Sequence, residues 1–188
     1  MAFDRDFIRT KIGRAASVIA SLGEQAVEIE RFALAVRETL VRGGAVFTFG
    51  NGGSAAEAMH LSEELIGRYS RDRAPKRAVC LNADPTALTC IANDFGYDEV
   101  FARQVRGLAR AGDLAVAFST SGKSPNITLA LKAAKEVGAV PAALLGKGGG
   151  EALKHAALAV VVASDETEHI QEAHQVMVHL ILEAVEAG

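Results

Sequence analysis

Apolar residues follow two different spacings along this chain, and each spacing predicts a different element. From Ala45 onward, short apolar runs alternate with segments in which apolar residues recur every three or four positions. Runs of the first kind are typical of buried parallel strands, and segments of the second kind are typical of amphipathic helices. The predicted strands are residues 45–49, 78–81, 114–118, 140–145 and 158–162. The predicted helices are residues 54–69, 85–92, 97–111, 125–137, 151–155 and 166–187.

This alternation predicts an α/β fold with a doubly wound, five-stranded parallel sheet, similar to flavodoxin in its sandwich architecture. Two further helices, at about residues 4–22 and 24–42, precede the first strand. We interpret residues 1–188 as one domain, in which residues 44–188 form the sandwich. The helical pair in residues 1–43 can pack on its own sheet or join subunits, and its long apolar face favours a role in oligomerisation.

Composition restricts the class of protein. The chain has 188 residues, of which 49% are hydrophobic and 23% charged, as is typical of globular proteins. Its formal net charge of −3 argues against nucleic acid or a membrane as the main partner. No apolar run approaches the length of a membrane span, and the N-terminus has no apolar export signal, so we expect a cytoplasmic protein. Cys80 and Cys90 lack metal-binding spacing and are expected to be buried thiols.

A serine-rich loop follows the third predicted strand and precedes a helix. Ser124 occupies the expected N-cap and Pro125 the first helical position, so the free N–H groups of the helix should face the loop and form an anion site. Gly122 allows the backbone to approach a ligand closely. Four hydroxyls can donate to phosphate oxygens, on Ser119, Thr120, Ser121 and Ser124. Helix capping alone explains one hydroxyl but not four, so we interpret the loop as a phosphate site.

A glycine-rich loop follows the first predicted strand and contains Asn51, Gly52, Gly53 and Ser54. Its glycines allow tight turning, and the Asn51 amide can bind a sugar hydroxyl or a phosphate. The spacing of Ser54 and Glu57 also fits a capping box, so Ser54 can be structural. Because G-x-G-x-x-G is absent, the loop does not predict dinucleotide binding.

Two helices carry candidate metal ligands and proton-transfer groups. His60 and Glu64 lie four residues apart on one helical face, where they can share an ion or simply form a solvated pair. Gln171 and His179 are eight residues apart on the last helix, about 12 Å along its axis. His174 is offset from both and is expected to pack.

Four acidic or amide positions have ambiguous roles in the sequence. Asn93 and Asp94 follow a predicted helix, where Asp94 can bind sugar hydroxyls, transfer a proton or cap the next helix. Asp165 and Glu168 have the spacing of a helix cap and its return partner, which favours a structural role for Glu168.

Six motifs together resemble the phosphoheptose isomerase family of the sugar isomerase (SIS) domain superfamily. They are G-N-G-G-S at residues 50–54, A-M-H-x-x-E-E-L at 58–65, G-R-Y at 67–69, A-N-D-F-G-Y at 92–97, S-T-S-G-K-S at 119–124 and H-I-Q-E-x-H-x-x-x-x-H at 169–179. The resemblance extends over nearly the whole chain. It implies an enzyme that isomerises sedoheptulose 7-phosphate to D-glycero-D-manno-heptose 7-phosphate through an enediol, the first step of heptose synthesis for lipopolysaccharide or surface glycans. It also implies a homotetramer with active sites at subunit boundaries.

Carried over residue by residue, the resemblance implies one Zn²⁺ per subunit, with Glu64 and His179 as the proton-transfer pair. The implied zinc ligands are His60, Glu64, Gln171 and His179. The implied substrate contacts are Asn51, Gly52, Gly53, Ser54, Glu64, Asn93, Asp94, Ser119, Thr120, Ser121, Ser124 and Gln171. Glu168 stands where some relatives have Asp. Two alternatives remain: an isomerase of another ketose phosphate, and a non-catalytic SIS-domain relative that binds a protein, such as the replication-initiator-associating type.

Overall fold

A computed structural model describes residues 3–187 and contains a five-stranded, fully parallel sheet. The strands are β1 (Val46–Gly50), β2 (Ala78–Cys80), β3 (Leu114–Ser119), β4 (Val140–Leu145) and β5 (Leu158–Val161). Their order across the sheet is β2-β1-β3-β4-β5, and Val46 on β1 lies opposite Ala78 on one side and Leu114 on the other. The predicted parallel α/β sheet is therefore confirmed, with strand ends that differ from the prediction by at most one residue.

Seven helices of the described residues surround this sheet. They are α1 (Arg5–Ser21), α2 (Ala26–Val41), α3 (Gly53–Ile66), α4 (Pro85–Phe95), α5 (Ala102–Leu108), α6 (Pro125–Glu136) and α7 (Thr167–Glu186). Within residues 3–187, no helix has both the length and the apolar composition needed to cross a membrane.

Two apolar layers cover the two faces of the sheet. Val116 and Phe118 of β3 point to one face and belong to the cluster formed with α2, α3 and α7. Ala115 and Ala117 alternate with them and pack with α5 and α6 on the other face. Because both faces are buried, every residue of β3 is buried, which explains why the strand has an almost continuous apolar sequence.

The prediction of one helix over residues 97–111 is wrong. The chain forms a short 3₁₀ turn at Tyr97–Glu99 and then the shorter helix α5. After α5, the buried Asp113 carboxylate accepts hydrogen bonds from the backbone N–H of Arg110 at 2.8 Å and of Ala45 at 2.8 Å. These bonds stabilise a turn at residues 110–113, where the prediction had the end of a helix, and they join that turn to the residue before β1.

The helix α1 places no residue in the core. Ile8 is 41% and Ile12 65% exposed, although both belong to the apolar face that the sequence predicts. The burial prediction for the cysteines is half correct, because Cys80 is buried whereas Cys90 is exposed. Cys90 lies on α4, a helix in which no residue is buried.

Candidate functional site

The two ligand loops predicted from the sequence meet at one edge of the sheet. They follow β1 and β3, which are parallel neighbours, so their carboxyl ends lie side by side. Asn51 in the first loop and Asn126 at the start of α6 exchange two side-chain hydrogen bonds, each 2.9 Å long. The Tyr97 hydroxyl donates a third bond to Asn51 Oδ1 at 3.1 Å. Asn51 therefore cross-links the two loops in addition to any contact with a ligand.

Asn126 has a role in the site that the sequence analysis missed. It is 2% exposed. Asn126 follows Pro125 at the start of a helix, and a polar residue at such a position is ordinary, so the sequence gives no sign of its role. Only the reciprocal pairing with Asn51, 75 residues away, reveals its function.

The serine loop has the geometry expected of an anion site. Ser124 is the N-cap of α6 and Pro125 follows it, as predicted, but the Ser124 side chain makes no capping hydrogen bond. Ser119 Oγ accepts from Gly122 N–H at 3.0 Å, and Ser121 Oγ accepts from Lys123 N–H at 3.2 Å. Because these two hydroxyl oxygens act as acceptors, their hydrogens remain available for donation to an anion.

A second backbone segment supports the serine loop from behind. Gly122 has φ +61°, and a Cβ added there would collide with the carbonyl of Gly149. A Cβ on Gly150 would in turn lie 2.6 Å from Ser121 O. Ala152 N–H donates to Gly122 O at 2.9 Å. Gly149 and Gly150, to which the sequence analysis assigned no chemistry, thus pack backbone to backbone against the serine loop.

The glycine-rich loop leads directly into α3, and the predicted capping box is wrong. Gly52, with φ +57°, is the N-cap, and Ser54 lies buried inside the helix. Glu57 points across to α7, where its Oε2 lies 3.4 Å from His174 Nδ1. The site glycine Gly53 allows α7 to come close, because a Cβ at this position would collide with the Gln171 amide.

The pair formed by Glu57 and His174 is buried and holds three elements together. Glu57 is 6% exposed and His174 is fully buried. The other nitrogen of His174, Nε2, lies 3.3 Å from the backbone oxygen of Leu145 at the end of β4. The pair therefore fixes α7 against α3 and the sheet, which agrees with the packing role expected for His174.

Two of the predicted ligands, His60 and Glu64, lie together on α3. His60 Nε2 is 3.6 Å from Glu64 Oε1, and ligand atoms of His60, Glu63 and Glu64 all lie within 4.8 Å of one another. The His179 ring of α7 meets the His60 ring edge-on, with 5.5 Å between centroids. The Tyr69 ring stacks on the His179 ring, with 5.8 Å between centroids and an angle of 26° between the ring planes.

The separation of His60 and Glu64 fits two ligands of one zinc ion. Zinc binds imidazole and carboxylate at about 2.0–2.2 Å, so two ligand atoms of one tetrahedral site lie about 3.3 Å apart. The separation of 3.6 Å between His60 Nε2 and Glu64 Oε1 is close to that value. His60 and Glu64 are 29% and 19% exposed, so the group is accessible to a small substrate but largely shielded from water.

The two glutamines of α7 occupy different positions relative to this group. Gln171 lies against Gly53, seven residues before His60 and thus about 10 Å from it along α3. Gln175, one turn later, is the residue whose side-chain amide contacts His60 Nδ1. The assignment of Gln171 as a zinc ligand stays a prediction, and Gln175 is a neighbour of the site to which the sequence analysis gave no role.

Arg73 fixes the backbone at the end of α3. Its guanidinium donates to Glu64 O at 2.6 Å and to Leu65 O at 2.9 Å. Glu186 of α7 binds the same loop, because its carboxylate accepts from the backbone N–H groups of Ser70 and Arg71. Burial opposes ionisation of Glu186, but these hydrogen bonds and the Arg73 charge outweigh it and lower its pKa.

The remaining acidic candidates lie away from the positions expected of them. Asn93 and Asp94 are the last turn of α4 rather than a loop; both are exposed, and Asn93 Nδ2 donates to Asp94 Oδ1 at 2.8 Å. Asp94 does not cap the following turn, whose N-cap is Gly96. The prediction that Asp165 caps the last helix is wrong, because the N-cap of α7 is Glu166.

Glu168 binds a lysine from another helix. Lys11 Nζ of α1 donates to Glu166 Oε2 at 2.6 Å and to Glu168 Oε1 at 2.8 Å. Hydrogen bonding from Lys11 lowers the pKa of both carboxyls, and the same bonds raise the pKa of Lys11. Glu168 thus joins α1 to the first turn of α7.

Comparison with known proteins agrees with this architecture. Residues 12–146 match the SIS domain family. A phosphoheptose isomerase of Akkermansia muciniphila is 43% identical over 181 residues, which are 96% of each chain. One from Campylobacter concisus is 48% identical over 80% of each chain. The structure of a phosphoheptose isomerase from Neisseria gonorrhoeae superposes with a TM-score of 0.92 at 32% identity, covering 98% of this chain and 99% of that one. This chain therefore belongs to the SIS domain family and, within it, to the phosphoheptose isomerases.

Proposed function

We propose that this protein isomerises sedoheptulose 7-phosphate to D-glycero-D-manno-heptose 7-phosphate. The observation that carries the proposal is the presence of two complementary groups: an anion loop at the carboxyl edge of the sheet, at the start of α6, and an imidazole–carboxylate group between α3 and α7, which begins about two turns into α3. The first suits the phosphate of the substrate. The second suits proton transfer at its other end.

The phosphate would bind to the serine loop. The N-terminus of α6 offers unpaired N–H groups and the positive end of the helix dipole. The hydroxyls of Ser119 and Ser121 accept from backbone N–H groups, which fixes their oxygens and leaves their hydrogens for the phosphate. Thr120 and Ser124 would add two further donors.

Isomerisation of a ketose to an aldose requires removal of a proton from C1 and delivery of a proton to C2 of an enediol. Glu64 would remove the proton from C1 and carry it, and His179 would take part in the proton transfer at C2. The two residues approach from different helices, and the His179 ring is edge-on to the ring of His60, the neighbour of Glu64. In this proposal a base on α3 and an acid on α7 would face the same pair of carbons.

His60 and Glu64, together with Gln171 and His179 as the resemblance implies, would hold one Zn²⁺ per subunit. When bound, the zinc ion would polarise the carbonyl oxygen as a Lewis acid. Coordination makes a carboxylate a weaker base. Glu64 would then have to move its unbound oxygen toward C1.

The helical pair would join four subunits into a homotetramer with active sites at subunit boundaries. A groove of about 590 Å³ lies between α1, α2 and α7 and is lined mainly by apolar residues, among them Ile19, Ile29 and Leu180. Leu180 on α7 is 44% exposed and lies one residue from the site residue His179. A subunit covering this groove would bury Leu180. The cytoplasmic location and the use of the heptose in lipopolysaccharide or surface glycans stay predictions.

The test follows sedoheptulose 7-phosphate by NMR in deuterated buffer, first with metal-free protein and then after addition of zinc. We expect zinc-dependent formation of the aldose with deuterium at C2. Absence of turnover in both states, with folded and assembled protein, would refute the proposal and favour the protein-binding alternative.

A second test addresses the phosphate. We expect a variant with Ser121→Ala and Ser124→Ala to have a raised KM for the phosphorylated sugar. The same variant should treat unphosphorylated sedoheptulose like the parent. An unchanged KM for the phosphorylated sugar would show that the loop does not bind phosphate.

A further inference from the structure

Gln175 is the side chain of α7 that meets His60. Gln171, Gln175 and His179 follow one another at intervals of four residues, so they form a single stripe on one face of the helix. The first lies against Gly53, and the last meets the ring of His60 edge-on. Between them, the half-buried Gln175 places its amide nitrogen against His60 Nδ1.

This contact controls which nitrogen of His60 carries the hydrogen. An amide nitrogen can only donate, so with this orientation of the amide Nδ1 would accept and the hydrogen of a neutral imidazole would be on Nε2. Nε2 is the atom that faces Glu64 Oε1, 3.6 Å away. A cation shared with Glu64 needs the lone pair of Nε2, and therefore requires the hydrogen to be on Nδ1.

The same glutamine can supply the acceptor that the second arrangement needs. A half-turn about its terminal torsion exchanges Nε2 for Oε1 and leaves the rest of the side chain in place. Oε1 then accepts from Nδ1–H, and the lone pair of His60 Nε2 points towards Glu64. Metal-binding histidines commonly donate their other N–H to an oxygen in this way, which fixes both the ring and its tautomer.

We propose that Gln175 is a positioning residue for His60, whose amide orients the ring and, by turning, makes its Nε2 available as a metal ligand. This inference rests on the zinc site of the proposed function. In this proposal Gln175 does not contact the sugar. Gln175 lies one helical turn after Gln171, the residue that the resemblance implies as a zinc ligand.

The first test measures zinc affinity by competition with a chromophoric chelator, which requires no turnover. We expect Gln175→Met, which keeps the length of the side chain but removes the amide, to weaken zinc binding about 10-fold or more. Gln104→Met is the matched control. Gln104 is also half-buried, and its amide donates to Leu81 O at 3.0 Å and Val100 O at 2.8 Å, against the opposite face of the sheet. The Gln104→Met variant should have a lower free energy of unfolding than the parent but the same zinc affinity.

The second test reads the tautomer of His60 in metal-free protein by ¹⁵N NMR of labelled histidines, of which the chain has five. His60→Asn identifies the signal. We expect the hydrogen on Nε2 in the parent and on Nδ1 in Gln175→Glu, because a carboxylate can only accept. Equal zinc affinity in Gln175→Met and the parent, or unchanged His60 nitrogen shifts in Gln175→Glu, would overturn the proposal. A parent that binds no zinc while Gln175→Glu still moves the hydrogen would refute the zinc site and uphold the positioning role.

Discussion

The backbone contact behind the phosphate loop leads to a quantitative prediction for Gly122→Ala. Gly122 has φ +61°, a conformation that costs an L-residue about 1–2 kcal/mol. The new Cβ would also collide with the carbonyl of Gly149, and forcing such a group into a packed site costs about 1–3 kcal/mol. The sum predicts a loss of about 2–5 kcal/mol in the free energy of unfolding.

Gly148→Ala separates the two contributions. Gly148 has φ +73°, but a Cβ there would have nothing within 4 Å. This variant should therefore lose only about 1–2 kcal/mol, from backbone conformation. Urea unfolding at equal protein concentration gives the difference between the two variants, which we expect to be about 1–3 kcal/mol.

The same pair of variants tests the site. Displacement of Gly122 moves Ser121 and the neighbouring hydroxyls, so Gly122→Ala should raise the KM for the phosphorylated substrate, whereas Gly148→Ala should leave it near the parent value. Equal stability losses and equal KM values in the two variants would refute the argument that close packing of the two backbones shapes the phosphate loop.

Three further perturbations test other parts of the molecule. Glu64→Gln should abolish turnover, measured by NMR, and leave the assembly unchanged in size-exclusion chromatography; a rate near that of the parent would rule out Glu64 as the base. Asp113→Ala should cost about 2–4 kcal/mol in urea unfolding, because two backbone N–H groups lose their acceptor; Asp113→Asn, which keeps an acceptor, should lose less. The pKa values of Glu166 and Glu168 are lowered by Lys11, so their stabilising effect is present at neutral pH and is lost as pH falls through the ordinary glutamate pKa of about 4.3 and below. Lys11→Met should therefore reduce the dependence of stability on pH in that range, and an unchanged dependence would contradict this account.

Local sequence predicted those features of the fold that depend on local spacing. The buried strand β3 was predictable because a strand covered on both faces needs apolar residues at nearly every position. The approach of His60 to Glu64 was predictable because the spacing of four residues is one helical turn. Pro125 also marked the start of α6 correctly, since its fixed φ suits the first helical position, and Ser124 is the N-cap although its side chain makes no capping hydrogen bond.

Predictions failed where a side chain had a local partner and a distant partner of similar chemistry. Ser54 and Glu57 have the spacing of a capping box, yet Glu57 binds His174, 117 residues away. Glu168 has the spacing of a return partner to a cap, yet it binds Lys11. In both cases the packing of two helices brings an opposite or complementary group within reach of the glutamate, and the local bond is not formed.

The sequence by itself determined that this protein has a parallel sheet between helical layers, a serine loop at a helix start and a histidine–glutamate pair on one face of a helix, because each of these follows from spacing within a few residues. Only the tertiary structure decided that Asn126 joins the two ligand loops and that Gln175, rather than Gln171, contacts His60. These contacts depend on the axial offset between α3 and α7 and on the order of strands in the sheet. That offset is set by close packing at Gly53 and by the buried pair of Glu57 and His174, which involve residues far apart in the chain.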